Sequence, residues 1–258
     1  MDKFELENGF LDLKINNFLP HIRARYSNDY NLIWKMKGLL DETQNCFVGN
    51  DASQTIVFVA SSIVNLNELF QSAVLLLEKG LPIPAKILMR TILELSLKII
   101  EALNNDQYIE ELIYAFYSEK KSLLKFLDDK QLYHLLSKDK IDKQLQIISQ
   151  HKNKTGRKSK LTVQELAEKN NLFEAYAIYK IYCAYTHQSL SSIEQVIDFQ
   201  PQGLHLNGDF RFEDFSFNTK MLLSFTMLPF PALIEKQLLN SSIESNYNLL
   251  KQYLESQS

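Results

Sequence analysis

Apolar residues recur every three to four positions through nearly every segment of this chain, and only seven of its 258 residues are glycine. A period of 3.6 puts the apolar side chains on one face of a helix, whereas a half-buried strand needs strict alternation. The chain therefore reads as all-α, a multi-helix bundle of about eight to ten helices. One stretch departs from the pattern. Gly203 to Phe212 alternates around Asn207-Gly208, the dipeptide that favours a two-residue hairpin turn, and predicts a small β-hairpin over residues 203–212.

Local signals divide the rest. A first helical block runs from about Phe4 to Phe47, interrupted near Pro20 and Ser27-Asn28-Asp29. A second opens at Asp51, with Gln54 three residues on, and closes at Gly80, a residue suited to the left-handed cap of a helix. Pro82 and Pro84 open the next, which runs from Ala85 to about Ala102. Helices follow over about 106–127 and 129–150. Thr162 to Glu165 makes a capping box, and further helices cover about 173–187, 215–239 and 242–256. Residues 1–50 form an N-terminal helical arm and residues 51–258 a helical core, the two being continuous on a single-domain reading.

Composition narrows the chemistry. Lys+Arg 28 against Asp+Glu 31 gives a net charge of −3, unlike a protein built to coat DNA. The glycines are scattered, and neither phosphate-binding loop, nucleophile elbow nor zinc-protease helix motif occurs. No histidine has a glutamate three residues before it, so the Glu-x-x-His of di-iron bundles is missing. The expectation is no metal and no cofactor. Cys46 and Cys183 are too few and too far apart for a disulfide framework, and the mixed-charge N-terminus has no apolar signal region. The apolar run Met221–Ile234 is short for a bilayer and holds Pro229 and Pro231. A cytoplasmic protein with no membrane partner is expected.

Three groups of residues stand out. Arg90 and Glu94 are spaced to pair on one helix face among apolar neighbours, either as an ion pair tying helices together or as charges lining a pocket. His187 follows Tyr179-Lys-Ile-Tyr-Cys-Ala-Tyr-Thr at a helix end, beside Thr186 and Ser189, with Lys180 two turns earlier on the same stripe. A histidine there serves as a dipole partner or as an acid–base group. The basic stretch with Lys152, Lys154, Arg157, Lys158 and Lys160 is either a solvated loop or a phosphate contact. Trp34, Tyr114–Tyr117 and Phe210–Phe217 read as core or interface.

At the first two of these groups the chain resembles the bacterial domain of unknown function 5677. The likeness lies in Ala85-Lys-Ile-Leu-Met-Arg90-Thr-Ile-Leu-Glu94-Leu and, roughly ninety residues later, Tyr179 to Ser189, followed by a glycine-containing stretch and a last helix pair. It covers about residues 55–240. A more distant likeness is to the HEPN superfamily of helical dimers, many of them metal-independent ribonucleases of toxin and antiphage systems. Its signature is an arginine, four to six residues, then histidine, whereas here Lys180 stands seven before His187.

The resemblance implies an RNA-cleaving effector, acting as a homodimer or with an operon-encoded partner. In it His187 moves the proton, Lys180 and Arg90 stabilise the phosphorane charge, and Glu94 orients either Arg90 or the histidine. Tyr179, Thr186, Ser189, Lys152, Lys154, Arg157 and Lys158 would contact the RNA. The rival reading is a non-catalytic interaction or regulatory subunit, in which Arg90, Glu94 and His187 form a structural network.

Overall fold

The computed structural model describes residues 16–47, 53–152, 161–186, 197–200, 203–206, 212 and 214–256. They form helices α1 (Leu19–Arg25), α2 (Ser27–Cys46), α3 (Gln54–Glu78), α4 (Pro82–Asn104), α5 (Tyr108–Asp129), α6 (Lys138–Lys152), α7 (Val163–Lys169) and α8 (Phe173–Thr186). After strands β1 (Ile197–Gln200) and β2 (Gly203–Leu206) come α9 (Phe215–Met227), α10 (Phe230–Glu235) and α11 (Ser241–Ser256). The all-α class is as the apolar period implies.

The hairpin expected around Asn207-Gly208 is corrected. β2 pairs antiparallel with the segment before it, Ile197 opposite Leu206 and Gln200 opposite Gly203. Residues 207–211 lie outside the described residues. Two helix expectations are also corrected. The helix placed at 129–150 begins at Lys138, and the one placed at 215–239 is broken into α9 and α10 near Pro229 and Pro231.

α4 is the centre. It packs on α3, α5, α7, α8, α9 and α10, and its Met89, Ile92, Leu93, Leu97 and Ile99 are wholly buried. Six neighbours explain why its apolar positions outnumber those of a one-sided helix. α2 lies across α3, so Leu32, Met36, Leu39 and Leu40 belong to the same cluster as α4. Polar pairs fix the registers. Asn67 donates to the Asp41 carboxylate at 2.9 Å, Ser216 donates to Asp29 at 2.6 Å, and Ser96 donates to the Phe225 carbonyl at 2.9 Å. Arg23 meets the buried Glu78 at 2.9 Å, and Lys169 the buried Glu101 at 2.9 Å. Each buried acid is thereby neutralised from the surface.

α3 is long and apolar enough to cross a membrane by length and composition, and 44% of its most apolar window is buried in this fold. Its buried side, Val59, Ile63, Leu66, Phe70 and Ala73, packs against the rest of the core.

The α5–α6 pair stands apart. Leu124, Ile141 and Ile148, backed by Tyr117, Leu127, Leu136 and Leu145, make a second, smaller cluster. Among the described residues of the pair, only the first turns of α5, through Tyr108 and Ile109, join the main core.

Candidate functional site

The polar side chains of interest gather along the α4–α8 contact. On α4, Lys86, Arg90, Glu94 and Lys98 repeat every four residues and so form one stripe. Lys86 sits over the Tyr185 ring at 5.2 Å, and Arg90 over the Tyr179 ring at 4.9 Å. As α4 advances its partners on α8 step backwards, so the two helices run antiparallel.

Arg90 is held by three contacts besides its ring. Its Nε donates to the Cys183 sulfur at 3.1 Å, and its Nη2 to the Tyr179 hydroxyl at 2.9 Å. The Glu94 carboxylate is 4.0 Å away and receives a closer bond, 2.8 Å, from Lys98. Glu94 is therefore shared between two cations and held more tightly by Lys98. Arg90 is 22% exposed and Glu94 28%, which places the group at the rim of the interface and not in its interior. A guanidinium in such a place keeps its charge. Burial works against it, but the Cys183 sulfur and the Tyr179 hydroxyl offset that and raise its pKa above the ordinary value. The Tyr179 phenol is pushed up by burial and then by Cys183, against the opposing pull of Arg90.

Tyr182, on the inner side of α8, is a different kind of residue. Burial pushes its phenol up to about 12, it meets Phe225 edge-on at 6.2 Å, and its hydroxyl has no hydrogen-bond partner among the described residues.

The structure thus brings together Arg90, Glu94 and Tyr179. It leaves Lys180 exposed on another side of α8, with Thr186 exposed at the helix end. His187 and Ser189 lie outside the described residues, as do Lys154, Arg157, Lys158 and Lys160; Lys152 is the last residue of α6.

Two participants are new. Lys86, one turn before Arg90, occupies the end of α8 where Lys180 was expected to supply a second cation. Cys183 gives Arg90 an acceptor. The i, i+4 spacing of Lys86, Arg90, Glu94 and Lys98 was visible in the sequence, but which stripe faces α8 is set by tertiary packing. Among the described residues no group of three His, Cys, Asp or Glu side chains is placed to hold a metal ion.

An all-α protein centred on one helix, with a charged α4 stripe clasping the end of α8, is the class that fold and site define. The chain belongs to DUF5677, a family of unknown function, whose match runs over residues 57–204. That span contains α4, α8 and both sequence motifs. Compared with curated proteins and with solved structures, the chain matches none, and the HEPN likeness is not confirmed.

Proposed function

We propose that this chain is a metal-independent endoribonuclease, a cytoplasmic effector of a bacterial toxin or antiphage system. The observation that carries the reading is the pair of cations, Lys86 and Arg90, laid along the last two turns of α8 immediately before His187. Cleavage of RNA without a metal needs a base for the 2′-hydroxyl proton and fixed positive charge for the phosphorane. His187, with an ordinary pKa near 6.5, suits the first task. Arg90, pinned by Tyr179 and Cys183, suits the second, because a preoriented charge needs no rearrangement as the phosphorane forms. Lys86 takes the role that the sequence reading gave Lys180.

A second reading has its own observation. Two donor positions of Arg90 are already taken by Tyr179 and Cys183, the arrangement of a clamp between α4 and α8. The chain would then be a non-catalytic helical subunit.

The test is cleavage of transfer and mixed-sequence RNA by the purified protein in EDTA. Wild type should cut. His187→Ala and Lys86→Ala should lose about 100-fold or more in rate, the usual range for removing an acid–base or electrostatic group. Exposed Lys180→Ala should cut normally. An intact chain that does not cut, together with an Arg90→Ala variant that melts far below wild type, establishes the clamp.

A further inference from the structure

The α5–α6 pair carries a face that its own small core does not use. Phe116, Leu123 and Phe126 recur along α5 at helical spacing and are 58%, 58% and 53% exposed. On α6, Ile147 is 42% exposed and shares a stripe with Lys140 and Lys143. Two cross-helix contacts fix which sides coincide. Lys120 donates to Gln144 at 2.6 Å along one edge of the pair, and Lys138 meets Asp128 at 2.7 Å along the other. Helical spacing places the three apolar residues of α5 on the Lys120 side, and Lys140 and Ile147 on the Gln144 side. They therefore form one continuous face. Lys120 lies 5.7 Å over the Phe116 ring, joining its charged and apolar parts.

Charge is sorted in the same way. Lys120, Lys130, Lys140 and Lys143 border this face, with Glu119 within it and Asp129 and Asp139 at its outer margins. Two of the pair's four aspartates, Asp128 and Asp142, are turned away and hold Lys138 on the opposite edge. On a chain of net charge −3, four lysines against three acids leave a small local excess of positive charge around exposed hydrocarbon.

We propose that the α5–α6 face is a peripheral binding surface for an anionic lipid bilayer. Apolar side chains ringed by lysine suit the boundary between headgroups and acyl chains, where lysine stems lie along hydrocarbon and their ammonium groups meet lipid phosphate. The residue types select lipid over single-stranded nucleic acid. Every cation is lysine, with no arginine fork for bidentate phosphate contact, and two of the four apolar side chains are aliphatic and have no ring for a base to stack on. A surface contact of this kind needs no spanning helix, so it differs from the expectation of no membrane partner without requiring a transmembrane segment. It is independent of any activity at α8.

The experiment is co-sedimentation of the full chain with phosphatidylcholine vesicles, with and without phosphatidylserine. The chain should pellet with the anionic vesicles and remain in solution with the neutral ones. Leu123→Ser/Phe126→Ser and Lys140→Glu/Lys143→Glu should each weaken pelleting by about tenfold or more, since both hydrocarbon and charge hold it. Leu249→Ser, an exposed apolar change on α11, should pellet like wild type. Failure of wild type to pellet with anionic vesicles overturns the proposal, as does pelleting of both face variants to the same extent as wild type. If the face variants keep vesicle binding but lose binding to an oligouridylate, or change only the oligomeric state in gel filtration, the face belongs to RNA or to a protein instead.

Discussion

Around α4 most sides find a helix, so Met89, Ile92, Leu93 and Leu97 are closed off completely. Along α5 only the first turns touch the main core, and beyond them three fully buried residues hold the α5–α6 pair together. Both regions are written in the same helical period. They differ in how many neighbours each helix has, and that decides whether an apolar residue becomes core or surface. Phe70 on α3 is 1% exposed, while Phe116 on α5 is 58% exposed. An apolar side chain left in water where its helix has outrun its neighbours points outwards, to a partner of the molecule.

The contrast can be broken most forcefully from the core side. Phe70→Ala removes a ring from a wholly packed site and should cost about 3–5 kcal/mol, the usual range for such a cavity. Because Phe70 belongs to the cluster spanning α1–α4, the first turns of α5 and α7–α11, the loss should appear as a lower midpoint for the whole cooperative transition in chemical denaturation. A loss confined to α3 would show that the body is not one cooperative unit.

Ile141→Ala asks the same of the smaller cluster. Ile141 is wholly buried, yet its neighbours are few and can relax into the gap, so about 2–3 kcal/mol is expected, towards the lower end for an isoleucine truncation. The effect should be local. Amide exchange should quicken through α5 and α6 while α4 keeps its protection. Equal acceleration in α4 would mean that the pair is part of the core's cooperative unit.

The class of the fold was legible because the helical period survives in almost every segment. The ends of helices were less so, for a specific reason. Among the described residues four helices end with a residue of positive φ followed by a hydrogen bond back to the carbonyl five residues earlier, as from Leu81 to Leu76 and from Leu132 to Leu127. Only one of them uses glycine, Gly80, and there the glycine marks the helix end in the sequence. Gln131, Asn171 and Gln237 do the same work elsewhere, and glutamine carries no such signal; the end of α5, expected near residue 127, falls at Asp129, but the next helix, expected from 129, begins only at Lys138. The hairpin failed differently. Asn207-Gly208 is a strong turn signal in sequence, but β2 pairs with the strand that precedes it, a choice that local turn chemistry does not settle.

At the site, the pairing of Arg90 with Tyr179 needed the antiparallel seating of α4 on α8, which no spacing within one helix reveals. The exposure of Lys180 and the seating of Lys86 beside Tyr185 have the same origin.

The same glutamine cap offers the mildest way to sharpen the comparison. Gln131 holds φ at 54°, a conformation that costs a residue with a Cβ about 1–2 kcal/mol and glycine almost nothing. Glycine in turn gives the unfolded chain more freedom, which takes back about 0.5–1 kcal/mol. Gln131→Gly should therefore stabilise the end of α5 by about 0.5–1 kcal/mol, the difference of two opposing effects. The gain should appear as slower exchange in the last turn of α5 and the first turn of α6, with the midpoint of the main transition barely moved. A shift of that midpoint comparable to the local gain would mean that the α5–α6 pair unfolds together with the body. The boundary between the two regions would then be one of packing density only, with no difference in cooperativity.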